Sequence, residues 1–164
     1  MADRARLYAW AAPAMDADVL PDHTWVTTYD SRKKSYRDIE SVVEAGEHFW
    51  YCWGNFRPKG RTLNNRTGAL GDAVGDESVA ACLAEANHDC RSTPAARGTI
   101  FRYGRHGVCH QLANQVLYAT ASEGQAPLTV ANARGYWWSV FRFGTYGRPE
   151  RTWVNKRDSC TVDR

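Results

Sequence analysis

Arg105-His106-Gly107-Val108-Cys109-His110-Gln111-Leu112-Ala113-Asn114-Gln115-Val116-Leu117-Tyr118 is the stretch on which the fold turns. Cys109, Leu112, Ala113, Val116 and Leu117 recur at i, i+3, i+4, i+7 and i+8, which is one face of an α-helix. His110, Asn114, Gln115 and Tyr118 take the remaining positions. Gly107 permits a sharp turn just ahead. The spacing therefore predicts a helix that opens at Cys109. A thiol there meets the positive end of the helix dipole and backbone N–H groups without partners in the helix. Such surroundings favour the thiolate, the nucleophilic form. The same N–H groups can stabilise an oxyanion. The plainer alternative is a small buried cysteine that starts an ordinary core helix.

The chain has 164 residues, 43% of them hydrophobic and 24% charged, which suits one globular domain over residues 1–164 with a real core. The formal net charge is +3, with acids and bases mixed along the chain and no long basic run, so nucleic acid is not an expected partner. No apolar run is long enough to span a membrane, and the start lacks the apolar region of a signal peptide. With 5 cysteines, an odd number, the simplest expectation is reduced thiols in a cytoplasm rather than a disulfide framework.

Outward from the helix, the flanking segments look extended. Leu7-Tyr8-Ala9-Trp10-Ala11-Ala12, stopped by Pro13, reads as a first strand. His23-Thr24-Trp25-Val26-Thr27-Thr28-Tyr29 is dense in β-branched and aromatic residues and is the clearest strand. His48 to Trp53 is a further aromatic strand, and Ser35 to Ala45 and Glu77 to about His88 look helical. Gly68 to Gly75 reads as small and flexible. Leu128 to Ala131 and Tyr136 to Phe143 read as two late strands, with a turn near Arg134-Gly135. The end, 147–164, is polar and expected to pack loosely. Strands before and after a helical middle predict an α+β fold, with an antiparallel sheet packed on the Cys109 helix.

A thiol nucleophile needs a base, usually histidine, oriented by a third polar group. His106 and His110 are neighbours of Cys109 in sequence, and near neighbours on a helix point to different sides. His23 begins a strand and shares a face with Trp25, Thr27 and Tyr29. A histidine-bearing strand, His23-Thr24-Trp25-Val26, followed by the strand from His48 to Trp53 and by Gly107-Val108-Cys109 at a helix start, resembles the circularly permuted NlpC-type papain-like hydrolases. Gly-Val-Cys before a helix also looks like the transglutaminase and arylamine acetyltransferase pattern, but no histidine follows His110 as those families require. The resemblance implies a papain-like fold in permuted order, with Cys109 as nucleophile and His23 as base. The family's usual small residues after the strand histidine are missing, as is an Asn-Cys pair before the helix. These departures bear on the substrate class.

If the strand from His23 pairs antiparallel with the strand from His48, His23 faces Asn55, which can then orient the imidazole as an amide does in papain-like sites. An asparagine after Gly54 is otherwise a common turn residue. Trp25, Trp53 and His110 are the candidate substrate contacts. Packing within a sheet is the plainer use of most of Trp25, Trp50, Trp53, Trp137 and Trp138. The function expected is a thiol hydrolase, amidase or thiol protease, or an acyl-transfer enzyme, acting on an amide- or ester-containing small molecule or peptide, without a cofactor or metal. Two other classes compete. One is a non-catalytic aromatic-rich binding module that also uses the basic loop Arg57–Arg66. The other is a zinc-stabilised domain built on His88-Asp89-Cys90 and on His106, Cys109 and His110, whose spacing fits no paired Cys-x2-Cys pattern.

Overall fold

Bulky and small residues alternate through Leu7-Tyr8-Ala9-Trp10-Ala11, and this period of two fits an extended chain with two different faces. The structure, a computed structural model, describes residues 4–13, 21–27, 50–51, 68–76, 104–121 and 126–148. Four strands, β1 (Arg4–Pro13), β2 (Asp22–Thr27), β3 (Trp50–Tyr51) and β4 (Gly68–Asp76), form a sheet in the order β3-β2-β1-β4. Every neighbouring pair is antiparallel. Among the described residues two helices follow, α1 (Cys109–Thr120) and α2 (Tyr136–Phe143). The architecture is mixed α+β.

Pairing of β1 with β2 sets Trp10 opposite Trp25, Ala9 opposite Val26, Ala11 opposite Thr24 and Ala12 opposite His23. Opposed residues share a face. One face therefore carries Tyr8, Trp10, His23 and Trp25, and the other carries Leu7, Ala9, Ala11, Thr24 and Val26. Helix α1 packs on the second face. Leu7, Ala9 and Val26 meet Ala113, Val116, Leu117 and Val130 in one buried cluster. Full burial of a side chain of Val or Leu size contributes about 1.5–3 kcal/mol, so this cluster is what joins helix to sheet. On the first face the rings stack, with centroids of Trp10 and Trp25 6.5 Å apart and Trp25 and His23 5.7 Å apart.

Three expectations change. Gly68 to Gly75 is not a flexible stretch but most of edge strand β4, with a register shift opposite Ala9 and Trp10. Its glycines and alanines have weak strand preference, and pairing with β1 supplies the order. Tyr136 to Phe143 is a helix rather than a strand. Its residues are strand-prone one by one, but Ser139 and Phe143, one turn apart, are the buried pair, and Gly135 and Gly144, both at positive φ, bound it. Leu128 to Val130 is irregular, and the Val130 N–H donates to Asn114 Oδ1 instead of to a strand.

The β2–β3 register is also one residue from the expected one. Tyr51, not Cys52, stands opposite Val26. The helices expected over 35–45 and 77–88 lie outside the described residues, as does 149–164. Of the C-terminal segment, Gly147 is buried, and the Arg148 N–H donates to His106 O at 2.7 Å.

Candidate functional site

Cys109 is the first residue of α1, and Val108 precedes it in extended conformation. Val108 has no side-chain acceptor for the helix N-terminus. Its own N–H is instead taken by Gln111 Oε1 at 3.0 Å, half of a capping box. The first N–H groups of a helix have no acceptor within it. At this end, those of Cys109 and His110 favour the ionised thiol.

The thiol is 6% exposed and sits against β2, where Thr24 is its polar neighbour. The Thr24 hydroxyl lies against the sulfur without full hydrogen-bond geometry, and it has no other partner among the described residues. Two effects of opposite sign act on Cys109. Burial penalises the thiolate, while Thr24 and the N–H groups favour it. Burial prevails and pushes the thiol above its ordinary value. The expected lowering by the helix end is thus reversed, because the sulfur is desolvated as well as dipole-facing.

His23 is not the neighbour of Cys109. Its ring stacks on Trp25 at an interplanar angle of 17°, on the face away from α1. Thr24, one residue on, takes the helix-facing position. The sheet lies between His23 and the thiol, so the Cys109–His23 pair is corrected by the register of β2. Trp25 is likewise 1% exposed and packed between His23 and Trp10, which is a core role rather than a substrate contact. Asn55 and Trp53 lie outside the described residues.

His110 is also no substrate contact. It is 2% exposed and bonded through both ring nitrogens. Nε2 lies 2.9 Å from the Asp22 carbonyl and so must donate to it. Nδ1 lies 2.8 Å from Ser139 Oγ. Burial holds the His110 ring below its ordinary pKa, against the pull of Asp22, so the ring is neutral and Nδ1 is the acceptor. The Ser139 hydroxyl proton is then shared between Nδ1 and the Tyr136 carbonyl, 2.9 Å away.

The same pattern extends along α1. Gln111 Nε2 donates to Ser139 Oγ at 3.2 Å and to Gly144 O at 3.1 Å. Asn114 Nδ2 donates to the Tyr136 hydroxyl at 3.0 Å and to Thr145 O at 2.9 Å. Gln115 Nε2 donates to Tyr146 O. The polar side of α1 is therefore a second buried face, stitched to residues 130–146. Sequence reasoning missed Ser139, Gln111 and Asn114 as a network. The signal was available: α1 contains amides and an imidazole but no charged residue. Amides can be buried with their bonds satisfied, whereas a water-facing side would be expected to carry charge.

Among the described residues, no group of three or more His, Cys, Asp or Glu is placed to hold a metal ion. His88 and Cys90 lie outside them. No described helix is long and apolar enough to cross a membrane. Comparison of the chain with protein-family models, with curated proteins and with solved structures found no match.

Proposed function

We propose that the chain is a thiol-dependent hydrolase or acyl-transfer enzyme acting on an amide or ester, with Cys109 as its nucleophile. The observation that supports this is the seat of the sulfur. It opens a helix and lies against Thr24 of β2, and the backbone N–H groups of Cys109 and His110 favour its ionised form. A carbonyl brought to the sulfur places its developing oxyanion in the field of that helix end. In the reaction the thiol loses its proton to a base, and sulfur attacks the carbonyl carbon. The amine or alcohol leaves with a proton, and water or an amine then takes the acyl group.

Because burial keeps the resting thiol neutral, proton removal is the demanding step. His23, on the far face of the sheet, does not perform it. A cysteine-first helix against an antiparallel sheet is compatible with the permuted papain-like reading at its coarsest level. Its finer form needs a histidine on the helix side of β2, where this chain has Thr24.

The test is acylation by p-nitrophenyl acetate followed by intact-mass and peptide analysis. One acetyl group on Cys109 is expected, absent in Cys109→Ala, whose circular dichroism should match the unaltered chain. If Cys109 stays unacetylated at every pH up to about 10, where a free thiol would be ionised, the enzyme reading fails. The non-catalytic binding module then takes its place, a reading favoured by the aromatic rings exposed on α2.

A further inference from the structure

Helix α2 stands out because three of its five aromatic residues face away from the core. Trp137 is 72% exposed, Phe141 85% and Trp138 49%. Trp137 and Phe141 lie one turn apart on one side, with Trp138 and Arg142 adjacent to them. The opposite side is anchored, since Ser139 and Phe143 are buried and Ser139 is tied to His110 and Gln111. The helix therefore cannot roll its rings inward without breaking a buried network. Clustered exposed aromatics on a soluble domain mark an interaction surface.

Among the described residues, Arg142 is the charged side chain carried by α2, and Arg134 precedes the helix. The described residues 104–121 and 126–148 include Arg105, Arg134, Arg142 and Arg148, all exposed, and no Asp or Glu. The Asp22 carboxylate, also described, accepts the Arg134 N–H at 2.9 Å. The Arg142 guanidinium lies 5.9 Å from the Trp138 ring centre and 5.5 Å from that of Phe143. That contact holds a cation beside the exposed rings.

We infer that α2 docks the protein on an anionic lipid surface, with Trp137, Trp138 and Phe141 entering the headgroup–acyl boundary and Arg142 meeting lipid phosphates. Indole rings favour that boundary, where an apolar body and a polar N–H are both satisfied. Basic side chains beside an apolar helix face add attraction to anionic headgroups. A single-stranded nucleic acid also pairs aromatics with arginine, but it is usually bound in a groove whose rings form flat platforms. Here the rings project from the outside of a helix, a wedge rather than a groove. This inference is independent of the thiol chemistry.

The test is flotation of the full chain with vesicles of phosphatidylcholine alone, or with about one-third phosphatidylglycerol, at low and at about 0.15 M salt. The chain should float with the anionic vesicles, less so at the higher salt. The pair Trp137→Ser and Phe141→Ser should bind about tenfold more weakly or worse. Arg142→Gln should weaken only the anionic component, and Cys109→Ala should float like the unaltered chain. Melting temperatures of these surface variants should be unchanged, which separates lost docking from lost folding. The inference is overturned if the unaltered chain does not float, or if the double variant floats equally well. It is also overturned if the patch instead drives self-association or binds a single-stranded oligonucleotide without vesicle binding.

Discussion

At Cys109 a desolvated sulfur and a favourable helix end oppose each other, and burial prevails. The rate of iodoacetamide labelling at Cys109 should therefore rise with a midpoint above that of a free thiol. A midpoint below the free-thiol value would overturn this. The sign for stability follows. A group whose folded pKa is raised keeps its full contribution below the unfolded pKa. It loses that contribution as pH climbs through the folded value, so Cys109 should favour unfolding in alkali. His23→Ala should leave the labelling profile in place, because the ring lies across the sheet with Trp25. A profile shifted towards higher pH in that variant would restore the dyad. His110 has the opposite sign. Its folded pKa is lowered, so its contribution is present above the ordinary histidine value and lost as pH falls towards the folded one. His110→Ala should cost about 2–4 kcal/mol in urea unfolding, since it strands buried partners at Ser139 and Asp22 and leaves a cavity.

Among elements, α1 has two buried sides. One presents Ala113, Val116 and Leu117 to the sheet, and the other presents His110, Gln111, Asn114 and Gln115 to residues 130–146. The edge strand β4 depends on close approach rather than on side-chain packing. A Cβ on Gly75 would lie 2.5 Å from Leu7 Cδ1 and 2.7 Å from the backbone O of Thr120. The leucine tip can shift, but the helix carbonyl cannot do so cheaply, and Gly75 also bridges to Ala121. Gly75→Ala should therefore destabilise by about 1–3 kcal/mol, read as a lower urea midpoint with unchanged slope. A stability equal to that of the unaltered chain would show that β4 and the end of α1 can separate without cost.

At the scale of the whole molecule, the helix–sheet cluster and the α2 surface should respond differently to truncation. Leu117→Ala removes a side chain that is 2% exposed from the cluster joining α1 to the sheet, and should cost about 2–5 kcal/mol. Phe141→Ala removes a larger side chain that is 85% exposed, and should stay within about 0.5 kcal/mol of the unaltered chain. Parallel urea titrations check both. A large loss from Phe141→Ala would mean that its ring is covered within the folded protein, and would count against α2 as a docking surface.

The local pattern was enough for the elements whose side chains carry a clean period. Strands β1 and β2 and the start of α1 at Cys109 follow from the alternation at Leu7–Ala11, the β-branched and aromatic run from His23, and the i, i+3, i+4 spacing after Cys109. The α+β character follows with them. Local preference failed where tertiary contacts outweigh it. Gly68–Asp76 became a strand because β1 supplies its hydrogen bonds, and Tyr136–Phe143 became a helix because Ser139 and Phe143 need one buried side. The site was legible as a residue and not as an arrangement. The sequence placed Cys109 at a helix start, but a strand has period two, and one position decides which side chain meets the helix. Only the packing of α1 on the Thr24–Val26 face determined that Thr24 reaches the thiol while His23 stacks behind the sheet.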